Sequence, residues 1–504
     1  MSIRRKLVSD TAVLFSTSLV AQFIGFLVIP LFIKNLGAEM YGLYAISGVL
    51  MGYVGLFDFG LTRGLTREIG HSYSEGDYKR MSLAIYGGTF FLILVGLVSG
   101  AAIYFGRDLF IAWINVPEAD IATARELLTV TAAFSVVAWP AKLPLGILQG
   151  NQEIKASSFI EAYKSIATSA ALLLGVIYTR DLALIRSVTC IAMISTLIPY
   201  IWFIYKRIPL LRTELSAREL RSLKPVMSYG VKYFYSQLLA LISTKLDAFI
   251  IANMVNLAAV AAYQVVFKIQ FMVVMITQNI FGAFLPAVYR FSNIENRANL
   301  QRLLDEALRY RALIMAPLIS ILIAVSPAFI ALWIGEDFRQ YGIWAQLYLL
   351  AHFTWIFGLG ATVIRASDHI TSANRIALIR TILNIVLSIW LVQYYGLGGP
   401  VLGTVISSLI LGDMVCFPFY CYKTGLKWRT CFGNALKIIF ATIPITLILL
   451  LSQVFLPIGH WFTLIIYVGV GGCLMALVLG LFFLRKKDVE TLRVLLQRKA
   501  NIPV

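Results

Sequence analysis

Charged side chains inside long apolar segments are the residues of this sequence that could carry chemistry. An ionisable group at membrane depth is costly, and it usually faces a protein interior or a water-filled cavity where it can bind a substrate or an ion. Eight of these residues are cations and four are carboxylates. The twelve residues are Asp58, Arg63, Lys142, Glu161, Lys164, Arg186, Lys232, Lys245, Asp247, Lys268, Arg380 and Asp413.

The excess of cations predicts a cavity that favours an anion. A phosphate or pyrophosphate group would be stabilised there by charge-assisted hydrogen bonds. The alternative is that the long side chains reach the membrane surface or form structural ion pairs. Lys164 and Arg380 are the principal candidates, because several of the others lie nearer the cytosolic side. The predicted anion-binding residues are Lys164, Arg380, Lys232, Lys142, Lys268 and Arg63.

Three carboxylates are candidates for ion coupling. Asp247, Asp58 and Glu161 could each carry a proton or a sodium ion, since acidic residues within transmembrane segments often serve such relays. Asp58 and Asp247 could instead form structural pairs with Arg63 and Lys245. Lys245 and Asp247 are two positions apart on a helix, so they do not face each other directly.

The elements that hold these residues are predicted to be transmembrane helices. The chain has 504 residues, of which 59% are hydrophobic and 13% are charged, and its mean hydropathy is +0.82. Soluble proteins carry about 25% charged residues, and a membrane-spanning helix needs roughly 20 apolar residues. The sequence predicts an all-α integral membrane protein with about fourteen such helices. They run approximately over residues 9–33, 41–66, 82–105, 122–149, 154–178, 182–205, 225–253, 257–289, 308–334, 342–365, 372–395, 398–422, 434–457 and 461–484.

Basic residues are concentrated in every second loop. The N-terminus, the loops over residues 206–224 and 290–302, and the segment 485–487 are basic, whereas the loops between them are short and nearly neutral. The positive-inside rule places the basic set and both termini in the cytosol. This topology explains the net charge of +18 without a nucleic-acid partner.

An internal repeat relates the first six predicted helices to the next six. Residues 32–35 resemble residues 250–253 at an offset of 218, and Trp139 pairs with Trp355 at an offset of 216. Because six is an even number, both halves have the same orientation. The repeat therefore predicts two six-helix lobes related by a pseudo-two-fold axis along the membrane normal, followed by two additional helices.

The repeat also predicts the domain boundaries. They are an N-terminal six-helix lobe (1–206), a cytosolic linker (207–224), a C-terminal six-helix lobe (225–423), a two-helix unit (424–484) and a basic cytosolic tail (485–504).

Repeat-related polar positions predict the lining of a cavity. Lys164 aligns with Arg380 at the offset of 216, and Thr168 aligns with Asn384. One face of the seventh helix is polar, and the corresponding face of the first helix carries small or polar residues, which suggests that both faces point to one interior. The predicted cavity-lining polar residues are Tyr229, Ser236, Ser243, Ser18, Gln22 and Asn384.

Sequence motifs for nucleotide binding and hydrolysis are absent. There is no G-x-x-x-x-G-K-[ST] motif, so we expect no ATP site and no cofactor, and coupling to a proton or sodium gradient is the alternative energy source. The five cysteines and four histidines show no metal-ligand spacing. The sequence also lacks a sizeable exoplasmic loop of the kind that membrane glycosyltransferases, polymerases and ligases need. These features argue against an enzyme.

Three motifs of the sequence are distinctive. The first is Phe-Ile-Lys-Asn-Leu-Gly-Ala-Glu-Met-Tyr-Gly-Leu-Tyr over residues 32–44. The second is Gly-Leu-Phe-Asp-Phe-Gly-Leu over residues 55–61. The third is Lys245-Leu246-Asp247, followed by an apolar run and Tyr263. These motifs resemble those of Wzx-type polysaccharide flippases, which transport O-antigen units and belong to the multidrug/oligosaccharidyl-lipid/polysaccharide (MOP) exporter superfamily. The chain length and the predicted helix count are also similar to those of this family.

The resemblance implies a transporter that flips undecaprenyl-pyrophosphate-linked oligosaccharide from the cytosolic to the outer leaflet of the cytoplasmic (inner) membrane. It implies alternating access with ion coupling, and a groove for the prenyl tail at the last two helices. A polysaccharide polymerase and glycosyltransferases would be natural neighbours. The alternatives are a lipid II flippase or a multidrug exporter of the same superfamily, a membrane enzyme of glycan assembly, and a scaffold protein.

Overall fold

The structure is a computed structural model, and its described residues form helices. It describes residues 23–54, 60–151, 153–207, 234, 238–239, 241–242, 245–281, 288, 297–365 and 369–485. No strand occurs among these residues. Helices satisfy every backbone polar group within one segment, which is what an apolar surrounding requires.

Eleven segments of the described chain are long and apolar enough to cross a membrane. They correspond to eleven of the fourteen predicted helices. The predicted first, second and seventh helices fall partly outside the described residues, so the count of fourteen remains a prediction. The eleven segments are Tyr78–Trp113, Glu118–Ala138, Lys155–Tyr178, Leu182–Lys206, Leu257–Thr277, Arg297–Trp333, Glu336–Ile364, Thr371–Tyr395, Gly398–Thr424, Arg429–Phe455 and Trp461–Phe483.

The first half of the chain contributes ten described helices. Most of this half lies in one compact unit, formed by residues 1–264 and 389–400. The helices are α1 (Phe23–Leu36), α2 (Ala38–Val54), α3 (Leu61–Ser74), α4 (Tyr78–Trp113), α5 (Ile121–Ala138), α6 (Leu143–Gly150), α7 (Ile154–Tyr178), α8 (Leu182–Ile194), α9 (Leu197–Arg207) and α10 (residues 245–254).

The second half of the chain contributes nine described helices. A second compact unit comprises residues 265–388 and 401–504. Residues 208–224 of the predicted linker (207–224) lie outside the described residues, so this boundary remains a prediction. The helices are α11 (Leu257–Phe281), α12 (Arg297–Trp333), α13 (Gly342–His352), α14 (Gly358–Arg365), α15 (Ile370–Tyr395), α16 (Gly398–Leu411), α17 (Asp413–Thr424), α18 (Arg429–Phe455) and α19 (Trp461–Phe483).

Several predicted spans are interrupted near their middle. Pro140 has no backbone N–H to extend α5, and the chain makes a 3₁₀ turn over Pro140–Lys142 before α6 begins. A second 3₁₀ turn over Phe353–Phe357 separates α13 from α14. Extended backbone at Gly412 separates α16 from α17. Discontinuous helices of this kind commonly form the substrate sites of transporters.

The interruptions recur at the spacing of the sequence repeat. The last residues of α5 and α13 are 214 positions apart, and those of α8 and α16 are 217 positions apart. These offsets are close to the 216 to 218 read from the sequence. The recurrence supports the repeat, whereas the two-fold axis remains a prediction.

Glycines bring the helices of the first unit into close contact. A Cβ atom on Gly96 of α4 would lie 2.5 Å from the carbonyl oxygen of Val136 on α5. A Cβ atom on Gly150 of α6 would lie 2.8 Å from the carbonyl oxygen of Thr66 on α3. Small residues let helix backbones approach this closely. The van der Waals packing that results is a main source of attraction between helices in membranes.

Two asparagines join the end of α4 to the end of α10. The Asn115 amide donates to the carbonyl oxygen of Asn253 at 2.9 Å, and the Asn253 amide donates to the carbonyl oxygen of Trp113 at 2.5 Å. The Phe249 ring packs against Trp113, with ring centroids 5.9 Å apart. These contacts fix the described part of the seventh predicted helix within the first unit.

In the second unit, α12 is the helix on which α18 and α19 pack. Ser320 of α12 is hydrogen-bonded to Thr442 of α18, and the Gln453 amide donates to the carbonyl oxygen of Ala324. The Arg309 guanidinium donates to the carbonyl oxygen of Phe483, at the C-terminal end of α19. A cation at a helix C-terminus also interacts favourably with the helix dipole.

We predict that Gly96→Ala destabilises the protein by about 1–3 kcal/mol, because the new methyl group overlaps the α5 backbone. The matched control is Gly106→Ala on the same helix, where a Cβ atom would meet no atom within 4 Å. The measurement is thermal unfolding of the purified protein in detergent. Equal midpoints for the two variants would contradict the assigned α4–α5 contact.

Candidate functional site

Lys164 and Glu161 form an ion pair on α7. They are three positions apart, so they lie on one face of the helix, and Lys164 Nζ is 2.5 Å from Glu161 Oε2. The hydroxyl of Tyr200, on α9, donates to Glu161 Oε1 at 2.8 Å. The carboxylate therefore receives hydrogen bonds from a cation and a neutral donor. Both charged side chains remain partly accessible, at 29% for Lys164 and 31% for Glu161.

A cavity of about 250 Å³, which we call cavity A, opens beside this pair. Arg63 from α3 and Lys142 from the 3₁₀ turn line it together with Lys164. Glu161 is the single carboxylate among the described residues that line cavity A. Thr62, Thr66, Gln149 and Tyr200 supply neutral polar groups.

The interruption between α5 and α6 places Lys142 at cavity A. Lys142 lies at the end of the 3₁₀ turn, and its ammonium group stands over the Trp139 ring at 3.7 Å from the centroid. A cation over an indole face is electrostatically attracted to the ring. The contact between α6 and α3 then brings Lys142 and Arg63 to the same cavity, since Gly146 approaches the Thr66 side chain.

A second cavity of about 420 Å³, which we call cavity B, shares three lining residues with cavity A. The shared residues are Lys142, Lys164 and Met193. Cavity B is also lined by Arg186 of α8, and none of its described lining residues is acidic. Four cations and one carboxylate therefore line the two cavities. This arrangement can bind an anion through charge-assisted hydrogen bonds.

The structure brings together four of the residues predicted from the sequence. Arg63, Lys142 and Lys164 were predicted as anion-binding residues and Glu161 as an ion-coupling residue, and all four line cavity A. Their functional roles remain predictions.

Other predicted residues lie elsewhere in the described structure. Lys268 on α11 and Arg380 on α15 are half-buried residues of the second unit, and neither lines cavity A or cavity B. Asp247 is buried on α10 and accepts a hydrogen bond from the Tyr263 hydroxyl at 3.0 Å. Asn384 is buried on α15 and donates to Thr404 at 3.0 Å. The roles predicted for these four residues are untested.

Seven predicted residues lie outside the described residues. They comprise one ion-coupling candidate, one cation and five polar residues of the first and seventh predicted helices. These residues are Asp58, Lys232, Tyr229, Ser236, Ser243, Ser18 and Gln22.

Sequence reasoning did not assign Arg186, Trp139 or Tyr200 to the site. Arg186 was visible as a cation in an apolar run, but its spacing does not show which face of α8 meets α7. Trp139 was noticed through the repeat alone. Tyr200 follows the break after α8, so its direction depends on how α9 packs.

The chain is similar in sequence to one protein family and to relatives named as a transporter and a flippase. The model of the family described as polysaccharide biosynthesis protein matches residues 7–292, which is more than half of the chain. A putative O-antigen transporter of Shigella flexneri is 23% identical over 311 residues, covering 61% of this chain and 71% of that protein. The probable low-salt glycan biosynthesis flippase Agl15 of Haloferax volcanii is 19% identical over 410 residues, covering 79% of this chain and 80% of that protein.

Solved structures show the same fold at low sequence identity. The lipid II flippase MurJ in an inward closed conformation superposes with a TM-score of 0.72 at 16% identity, covering 93% of this chain and 98% of that chain. An inward-facing multidrug transporter of the MATE family gives a TM-score of 0.66 at 14% identity, covering 80% and 94%. That transporter belongs to the MOP superfamily.

These matches confirm the resemblance that the sequence motifs indicated. The relatives are named as transporters and flippases, in agreement with the expectation that the chain is not an enzyme. The chain therefore belongs to the polysaccharide biosynthesis protein family, as a multi-pass membrane protein that shares the fold of the MurJ and MATE transporters.

Proposed function

We propose that this protein flips undecaprenyl-pyrophosphate-linked oligosaccharide, such as an O-antigen repeat unit, from the cytosolic to the outer leaflet of the cytoplasmic membrane by alternating access. The observation that carries this proposal is the convergence of Arg63, Lys142 and Lys164 on cavity A. The names of the O-antigen transporter and glycan flippase relatives support the same substrate class.

The charge balance of cavity A suits a pyrophosphate headgroup. A multidrug exporter of the same superfamily that carries cationic drugs would need the opposite balance. Three cations against one carboxylate attract an anion, and each Lys or Arg donor forms a strong hydrogen bond with phosphate oxygens. Lysine and arginine are costly inside a membrane unless they face a polar ligand or cavity, so their grouping favours a bound anion.

The Glu161–Lys164 pair suggests how substrate binding is coupled to an ion. A pyrophosphate that binds Lys164 must compete with the Glu161 carboxylate, which holds the ammonium group at 2.5 Å. Protonation of Glu161 removes that competition, and Tyr200 then remains as its neutral partner. Proton binding would thus increase the affinity for the anion, and anion binding would increase the affinity for the proton. The two sites would be linked by a coupling free energy.

We predict that Lys164→Gln weakens binding of undecaprenyl-pyrophosphate oligosaccharide about 10- to 100-fold, because a hydrogen bond to a charged group of about 1.5–3 kcal/mol is lost. The matched control is Lys155→Gln, which removes an exposed lysine near the start of the same helix. The measurement is a binding titration in lipid nanodiscs, followed by flipping in proteoliposomes.

Two outcomes distinguish the readings of Lys164. Wild-type affinity and flipping by a folded Lys164→Gln variant would refute the assignment of cavity A to the pyrophosphate. An equal loss in the Lys155→Gln control would point to a general surface-charge effect.

We predict that Glu161→Gln retains substrate binding and abolishes the acceleration of flipping by a proton gradient. The glutamine resembles a permanently protonated carboxyl group and leaves Lys164 available to the anion. The measurement is the flipping rate in proteoliposomes with and without an imposed pH gradient, and Glu126→Gln on α5 is the control. A variant that still responds to the gradient like the wild type would exclude Glu161 as the coupling group.

A further inference from the structure

Two helix interruptions of the second unit meet at one glycine. Gly358 is the first residue of α14, directly after the 3₁₀ turn that follows α13. Asp413 is the first residue of α17, directly after the extended backbone of Gly412. The repeat-related positions in the first unit are Lys142 and Thr196, at offsets of 216 and 217, and both of these residues line cavity A. The second unit therefore has different chemistry at the place that corresponds to cavity A.

The missing side chain of Gly358 leaves a gap between two opposite charges, which we call the Gly358 slot. A Cβ atom on Gly358 would lie 3.0 Å from Asp413 Oδ2 and 3.5 Å from Nη2 of Arg311 on α12. In the part of the chain that the structure describes, no hydrogen bond or direct ion pair joins Arg311 to Asp413. All three residues are partly exposed, which leaves the slot open to a ligand.

Each of the two charges has a favourable contact of its own. The Arg311 guanidinium lies 5.8 Å from the centroid of the Phe281 ring, and an aromatic face attracts a cation at this range. Asp413 lies in the first turn of α17, where the helix dipole favours a carboxylate. Because neither group depends on direct pairing with the other, the gap between them is a stable feature of this unit.

The Gly358 slot suits a group that donates one hydrogen bond and accepts another. A guanidinium can only donate, and an ionised carboxylate can only accept. An anion in the slot would be repelled by Asp413, and a cation would be repelled by Arg311. A hydroxyl group can donate to Asp413 and accept from Arg311 at the same time. The distances of 3.0 and 3.5 Å need only a small adjustment to become hydrogen bonds.

We propose that the Gly358 slot binds a hydroxyl group of a neutral sugar in the transported oligosaccharide. This inference rests on the proposed function, and it assigns a specific contact with the glycan to the second unit. Gly358 is then a specificity-determining residue, because any larger side chain would occupy the place of the hydroxyl. A water molecule has the same hydrogen-bonding chemistry, and a slot that holds water alone would have a structural role.

The test measures the binding of two ligands by titration in lipid nanodiscs. One is undecaprenyl-pyrophosphate that carries a neutral trisaccharide of hexoses, and the other is undecaprenyl-pyrophosphate without sugar. We expect Gly358→Ala to weaken binding of the first ligand about 10-fold, because the new methyl group displaces the hydroxyl from the two charged groups. Binding of the second ligand should stay unchanged. The matched control is Gly433→Ala on α18, where a Cβ atom would meet no atom within 4 Å.

Asp413→Asn is a second variant that keeps the size of the side chain. It removes the carboxylate charge that strengthens the hydrogen bond from the hydroxyl, so we expect a smaller loss, confined to the sugar-bearing ligand. Adding Asp413→Asn to Gly358→Ala should cause no further loss, since both changes act on the same contact. Thermal unfolding midpoints in detergent show whether each variant remains folded.

Each other outcome has a distinct meaning. Equal weakening of both ligands by Gly358→Ala and Asp413→Asn would overturn the proposal and leave a structural water in the slot. Unchanged binding of the sugar-bearing ligand by both variants would also overturn it. A wild type that binds the two ligands equally would overturn the sugar contact alone, whereas a wild type that binds neither ligand would overturn the proposed function itself.

Discussion

The cost of placing a charge in an apolar environment is the constraint on which this structure depends. A lysine within a transmembrane helix is tolerated when a partner or a polar cavity compensates for lost hydration. Lys164 has both, because Glu161 lies one helical turn before it and cavity A lies beside it. The pair is therefore stable without substrate, and it can still exchange its internal partner for an external anion. That exchange is the physical basis of the proposed transport cycle.

The helix interruptions allow the cations to converge. A continuous helix through Pro140 would point the Lys142 side chain in a different direction. The observed 3₁₀ turn places the Lys142 ammonium group over the Trp139 ring, where Lys142 lines both cavities. Glycine contacts hold α6 close to α3, next to Lys142. The break between α5 and α6 therefore serves both the close packing of α6 on α3 and the placement of Lys142 at the cavities.

Much of the fold could be predicted from apolar run lengths and loop charges. The predicted fifth helix, residues 154–178, has the same bounds as α7, and the repeat offsets reappear in the helix interruptions. These features depend on local sequence, so periodicity and composition reveal them. The cations at membrane depth were visible for the same reason, because a charge in an apolar run is conspicuous without any knowledge of packing.

The partners of the charges could not be predicted in this way. Asp247 accepts a hydrogen bond from the Tyr263 hydroxyl on the next helix, a contact that its spacing from Lys245 in the sequence does not reveal. The position of Arg186 on cavity B depends on which face of α8 packs against α7, and the Tyr200 contact depends on how α9 leaves the break after α8. Such contacts arise from tertiary packing, which a single sequence does not specify.

An experimental structure of the protein with undecaprenyl-pyrophosphate oligosaccharide bound is the most direct test of the central claim. The account predicts that the pyrophosphate lies in cavity A, within hydrogen-bonding distance of Lys164, Lys142 and Arg63, and that the Glu161–Lys164 contact is broken. A pyrophosphate bound away from these three cations, with the Glu161–Lys164 pair intact, would contradict it.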